Sequence, residues 1–126
     1  MTDVHAPIVL VEDDADIRED LTELLRAERY EVVAAANGRE ALDVLRALHA
    51  NGRTPCVVFL DLMMPVMDGW TMRREMLADP ALSDLTVLVV SGAADVPGEA
   101  RARGAAGYLV KPFQWKELVD AVRRHC

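Results

Sequence analysis

Cysteine is scarce in this chain: Cys56 and Cys126 are the only two among 126 residues, too few for a disulfide framework. Cys56 opens an apolar run and reads as a small buried hydrophobe, while Cys126 is the last residue. No apolar stretch approaches the ~20 residues of a membrane span. The opening Met-Thr-Asp-Val-His-Ala-Pro lacks the basic start and apolar stretch of a secretory signal, so the expected location is the cytoplasm. A basic excess is also missing. The net charge of −7 argues against direct nucleic-acid binding, which needs a clustered basic face. Arg101, Arg103, Lys116, Arg123 and Arg124 are read as a solvated surface. There is no internal repeat, low-complexity tract or linker. His5, His49 and His125 are scattered, and with two distant cysteines they offer no zinc pattern.

Hydrophobic residues make up 52% of the chain, enough to exclude a disordered one. The length suits a single core, so one domain over 1–126 with no output domain is expected. Val57-Val58-Phe59-Leu60 is an uninterrupted apolar run between Pro55 and Pro65, the pattern of a strand buried on both faces, and it runs straight into Asp61. Three other runs end in polar groups: 8–11 in Glu12-Asp13-Asp14, 87–90 in Ser91, and 108–110 in Lys111. A weaker strand over 30–36, rich in alanine, suits a sheet edge.

Helices alternate with these strands. Ile17, Leu21, Leu24 and Leu25 make one helical stripe over 15–28, with Asp14 as N-cap. Asn37 opens a second helix that uses Ala41, Leu42, Leu45 and Leu48 and stops at Asn51-Gly52. A third runs over 70–77. In 94–103 Pro97 and Gly98 leave room for a short helix only, or one that starts at Pro97. The last helix, 113–124, is expected to turn Trp115, Leu118, Val119 and Val122 inward. Five βα units imply an α/β fold, a doubly wound parallel sheet with helices on both faces. The carboxyl ends of all its strands share one edge, where such folds keep their ligand chemistry.

Glu12, Asp13, Asp61, Ser91 and Lys111 therefore meet on that edge. Three converging carboxylates need a cation, and an all-oxygen set selects a hard ion such as Mg²⁺. A lysine charge and a serine hydroxyl beside them suit the equatorial oxygens of a phosphoryl group, and an aspartate can accept one covalently. Against this stands a plainer reading: acidic residues after a strand are common helix caps, and a lysine or serine at a strand end is ordinary.

Four stretches, Ile-Val-Leu-Val-Glu-Asp-Asp (8–14), Asp-Leu-Met-Met-Pro-Val-Met-Asp-Gly (61–69), Val-Val-Ser-Gly (89–92) and Gly-Tyr-Leu-Val-Lys-Pro-Phe (107–113), resemble the receiver domains of two-component response regulators. The resemblance covers essentially the whole chain. It implies a flavodoxin-like (βα)5 fold with strand order 2-1-3-4-5. It further implies that Asp61 accepts a phosphoryl group from a phosphohistidine on a sensor histidine kinase or a histidine phosphotransfer protein. Mg²⁺ would be held by Glu12, Asp13, Asp61 and the Met63 backbone carbonyl. Ser91 and Lys111 would contact the phosphoryl oxygens, Lys111-Pro112 would be cis, and Tyr108 with Ser91 would form the switch. The protein would signal by contact, as a monomer or a weak phosphorylation-dependent dimer, and not act as an enzyme. Two departures stand out. The short segment around Pro97-Gly98 alters the usual reading face of helix 4, strand 5 and helix 5. Met63 and Ala93, both apolar, cannot orient an attacking water, which implies a long-lived phosphorylated state.

Other classes fit less well. A phosphohydrolase with Asp61 as nucleophile would need an acid/base group two residues on, where Met63 stands. A nucleotide-binding module would need glycines after the first strand, which is acidic instead. A receiver-like docking module that is never phosphorylated would not need all five site residues.

Overall fold

The computed structural model describes residues 6–62, 64, 66–92, 96–102 and 104–126. Strands β1 (Ile8–Val11), β2 (Val32–Ala35), β3 (Val57–Asp61), β4 (Val87–Ser91) and β5 (Gly107–Val110) alternate with helices α1 (Ala15–Ala27), α2 (Gly38–Ala50), α3 (Gly69–Ala78), α4 (Val96–Ala102) and α5 (Trp115–His125). All strand pairs are parallel, in the order β2-β1-β3-β4-β5. The fold class expected from the sequence is the one observed, and the alanine-rich β2 lies at an edge.

Side chains alternate across the sheet with period two, which divides the core into two layers. Val9, Val11, Val58, Leu60, Val87 and Val89 pack with Leu42, Leu45, Met72, Met76 and Ala100 from α2, α3 and α4. Ile8, Leu10, Val57, Phe59, Leu88 and Leu109 face the other way, onto Leu25 of α1 and Leu118, Ala121 and Val122 of α5. Burial on both faces explains why β1, β3 and β4 read as unbroken apolar runs.

Caps set the helix boundaries. The side chains of Asp14, Asn37 and Asp68 accept hydrogen bonds from the backbone N–H of Ile17, Glu40 and Thr71 at 3.0, 2.9 and 2.8 Å. After α2 the chain turns at Gly52, whose φ of +71° is a left-handed conformation that glycine adopts without a steric penalty.

Three expectations need correction. Cys56 and Cys126 are joined by a disulfide, with Cα atoms 5.4 Å apart across 70 residues of sequence, so Cys56 is not a free buried hydrophobe. The pairing depends on α5 lying across the face that receives Val57 and Phe59, a tertiary relation that spacing does not encode. Trp115 points outward with 49% of its surface exposed, because Phe113, just before the helix, packs on the core in its stead. Ile17, in the first turn of α1, is likewise exposed, and Leu21, Thr22 and Leu25 carry the packing of that helix.

Candidate functional site

Strand register brings the site together. Val11 pairs with Leu60, so Glu12 follows at the level of Asp61; Asp61 pairs with Val90, and Ser91 pairs with Val110, one residue before Lys111. Glu12, Asp61 and Lys111 continue the alternation of Leu10, Phe59 and Leu109, the residues that face α1 and α5. Three strands thus deliver two carboxylates and an ammonium to one side of one edge.

The Lys111 Nζ lies 2.7 Å from Asp61 Oδ2 and 3.2 Å from Glu12 Oε1. Glu12 and Asp61 are buried, whereas Asp13 is exposed, yet one carboxylate oxygen from each of the three lies within 4.8 Å of the others. Three carboxylates against one ammonium leave a charge of −3 + 1 = −2, which one divalent cation cancels. The donor set is all oxygen and open to solvent at Asp13, which fits Mg²⁺, an ion that keeps several of its waters. Met63, expected to add its carbonyl, and Ala93 lie outside the described residues.

Burial pushes the Glu12 carboxyl above its ordinary range. The Asp14 N–H that it accepts at 3.2 Å pulls the other way, the charge of Asp61 adds to the rise, and Lys111 opposes it. For Lys111 burial alone would lower the ammonium pKa, but the hydrogen bond and charge of Asp61, then those of Glu12, outweigh it and hold it above the usual lysine value. The lysine is thus locked in its charged form by the carboxylates it faces.

Ser91 is almost fully buried at the end of β4, and its carbonyl accepts the Lys111 N–H at 2.9 Å. Tyr108 stands on edge strand β5 with 46% of its surface exposed. The Lys111–Pro112 peptide is cis. The structure therefore brings Glu12, Asp13, Asp61 and Lys111 into one cluster and sets Ser91 beside Lys111 through the backbone.

Further residues support the cluster, and of these Arg18 carries no readable sequence signal. Arg18 Nη1 donates to the carbonyl oxygens of Glu12 and Asp13, at 2.9 and 3.4 Å, and braces the acidic turn from the first turns of α1. Gly69 admits the start of α3 against the end of β3: a Cβ there would stand 2.7 Å from the Asp61 carbonyl oxygen and from Leu62 Cα. Val66, on the loop between Asp61 and α3, has a φ of +68°, a strained value for a β-branched residue, and is 79% exposed. Asp68 closes that loop; the Thr71 N–H holds its carboxyl below the usual range.

The family model for the response regulator receiver domain matches residues 8–123. The chain belongs to that family. As a receiver domain it is 39% identical over 116 residues to the transcriptional regulatory protein PdtaR of Mycobacterium tuberculosis, a match covering 91% of this chain and 54% of PdtaR. It is 35% identical over 123 residues to the DNA-binding response regulator MtrA of Mycobacterium bovis, covering 98% of this chain and 51% of MtrA. The receiver thus spans about half the length of these curated relatives. Among solved structures, the chemotaxis response regulator CheY4 of Vibrio cholerae superposes with a TM-score of 0.82 at 30% identity, covering 98% of this chain and 100% of that one. The response regulator TrrA of Thermotoga maritima, solved in complex with Mg²⁺–BeF, gives 0.77 at 28% identity, covering 96% and 99%. Among the described residues no helix is long and apolar enough to cross a membrane.

Proposed function

We propose that this receiver takes a phosphoryl group onto Asp61 from a phosphohistidine of a sensor histidine kinase or a histidine phosphotransfer protein, and passes the signal on by protein contact. The observation that carries this reading is the cluster itself: Asp61, Glu12 and Asp13 within 4.8 Å, with Lys111 Nζ 2.7 Å from Asp61. Burial of an acidic pair costs stability unless cations and hydrogen bonds offset it, so a pair kept in such a place points to the chemistry it serves.

Glu12, Asp13, Asp61 and the Met63 carbonyl would hold Mg²⁺, which supplies positive charge to the phosphoryl oxygens when bound. An Asp61 oxygen forms the new O–P bond as the P–N bond of the donor breaks, and the electron pair of that bond stays on the imidazole. Lys111 neutralises charge on the transferred group, and the Ser91 hydroxyl donates to it. Both must move to reach it. Lys111 gives up Asp61, and the space vacated around Ser91 lets Tyr108 exchange its exposed position for an inward one. Phosphorylation then acts as a population shift, read by a partner that prefers the closed state. With Met63 and Ala93 offering no group to orient water, the phosphoryl group is retained. The receiver acts in the cytoplasm, monomeric or weakly dimeric when phosphorylated, and turns over no substrate other than its own phosphoryl group.

Calorimetric titration with Mg²⁺, in parallel with Asp13→Asn, tests the metal arm of this reading. Saturable one-site binding that the substitution weakens is expected. Identical isotherms for the two proteins would remove Asp13 from the ligand set. Loss of the phosphoryl group from the phosphorylated chain as fast as it can be assayed would contradict the retention expected from Met63 and Ala93.

A further inference from the structure

β3 and the segment from Lys111 through α5 are fastened together at both ends. At the upper end Lys111 meets Asp61 at 2.7 Å; at the lower end Cys56, the residue before β3, is bonded to Cys126, the residue after α5. The upper fastening is ionic and the lower one covalent, and between them Leu118, Ala121 and Val122 press α5 onto the sheet.

The surroundings of the lower bond differ from those of a purely structural crosslink. Cys126 is exposed and Cys56 only half-buried, so a thiol in solution reaches the bond directly. The Cys56 sulfur also lies 3.4 Å from the Ala6 carbonyl oxygen and 3.7 Å from that of Pro7. Those oxygens are acceptors already in place for an S–H once the bond is open. Apart from the disulfide, the last turn of α5 is held by burial of Val122 and by an ion pair from Arg123 to Glu28 of the α1 C-cap at 3.1 Å, with the Arg123 side chain largely in solvent. Exposed pairs of this kind contribute little.

We propose that Cys56 and Cys126 form a redox-modification site through which thiol reductants release the end of α5 from β3. A thiolate of a dithiol, or of a glutathione-like thiol, attacks the exposed Cys126 sulfur. The S–S bond breaks, and Cys56 departs with the electron pair and takes up a proton beside the Ala6 and Pro7 carbonyls. A second reductant thiol then resolves the mixed disulfide on Cys126. The sum is one protein disulfide and two reductant thiols giving two protein thiols and one reductant disulfide, a transfer of two electrons and two protons. The reverse reaction uses the oxidised form of the same thiol. The site is independent of the proposed phosphoryl chemistry, since its bond changes involve none of the residues around Asp61.

The test equilibrates the full chain, without oxygen, at graded ratios of reduced to oxidised glutathione. Acid quenching, alkylation with iodoacetamide and intact mass then count the free thiols. The expected result is a monomer with either no alkyl groups or two, the balance moving with the ratio. Hydrogen exchange of the amides of 123–126 should be about tenfold faster in the reduced form, with no change in β3. Cys126→Ser, run beside it, should show the fast exchange at every ratio. The proposal is overturned by two alkyl groups at every ratio, by none even in excess dithiol, by a disulfide-linked dimer as the oxidised species, or by exchange in α5 that ignores reduction.

Discussion

The two ends of the sheet are built on opposite electrostatic plans. At the lower end charges pair within reach of water and a covalent bond ties the chain: Arg53 and Glu31 form a two-pronged pair at 2.6 and 3.0 Å, Arg123 meets Glu28, and Cys56 is bonded to Cys126. At the upper end Glu12 and Asp61 are buried beside exposed Asp13, with one lysine among three carboxylates. The lower end fastens the fold. The upper end gathers buried carboxylates around a lysine, the kind of charge cluster with shifted pKa values that tends to mark a functional site. The contrast lies within single elements: β3 begins at the covalent tie and ends at Asp61.

Breaking the lower end should cost the most stability and leave the upper end intact. Cys56→Ser removes a crosslink across 70 residues and is expected to lower unfolding stability by about 2–4 kcal/mol, measured by urea titration under oxidising conditions. Mg²⁺ affinity of the folded mutant should be unchanged. A fall in affinity would show that the two ends are coupled.

Gly69→Ala strikes the junction of the upper end with its loop. The added methyl cannot share space with the Asp61 carbonyl oxygen, so a loss of about 1–3 kcal/mol and displacement of the metal site are expected together. Stability loss with normal Mg²⁺ binding would mean that α3 yields without moving Asp61.

Glu12→Gln should do the reverse of an ordinary core substitution. Its folded pKa is raised, so the native state holds the proton more tightly than the unfolded chain. The associated stability is complete below the unfolded-state value of 4.5 and is lost as the pH rises through the folded value. At neutral pH the ionised carboxylate is therefore a burden, and glutamine should raise metal-free stability by up to about 1 kcal/mol. That gain should fade as the pH approaches 4.5, and saturating Mg²⁺ should favour the wild type. A mutant less stable than wild type at neutral pH without metal would contradict the account of the upper end.

The smallest effect belongs to Val66. It is left-handed and almost fully exposed, so Val66→Asn loses no packing and should stabilise by about 0.5–1 kcal/mol in thermal unfolding. Destabilisation would show that the valine makes contacts that outweigh its backbone strain.

The same division explains how much could be read from the sequence. β1, β3 and β4 were legible because strands covered on both faces are apolar without interruption, and each of these runs straight into a polar residue at one edge. Glu12, Asp13, Asp61 and Lys111 follow from that topology before any coordinates are known. The lower end was not legible: Cys56 and Cys126 meet only because α5 crosses the sheet, and two cysteines far apart carry no sign of it. Trp115 misled because it falls on the helical stripe of Leu118, Val119 and Val122, while Phe113 fills the space above the core. Arg18 and Val66 act through backbone carbonyls and backbone conformation, which side-chain patterns do not record.

The central claim, that Asp61 accepts a phosphoryl group, is tested most directly by intact mass. The chain would be incubated with Mg²⁺ and a small acyl-phosphate donor, beside Asp61→Asn and a sample without metal. The account predicts one added phosphoryl group on the wild type with Mg²⁺, none on the mutant and none without metal. An unchanged wild-type mass with Mg²⁺ and an active donor, or equal labelling of Asp61→Asn, would contradict it.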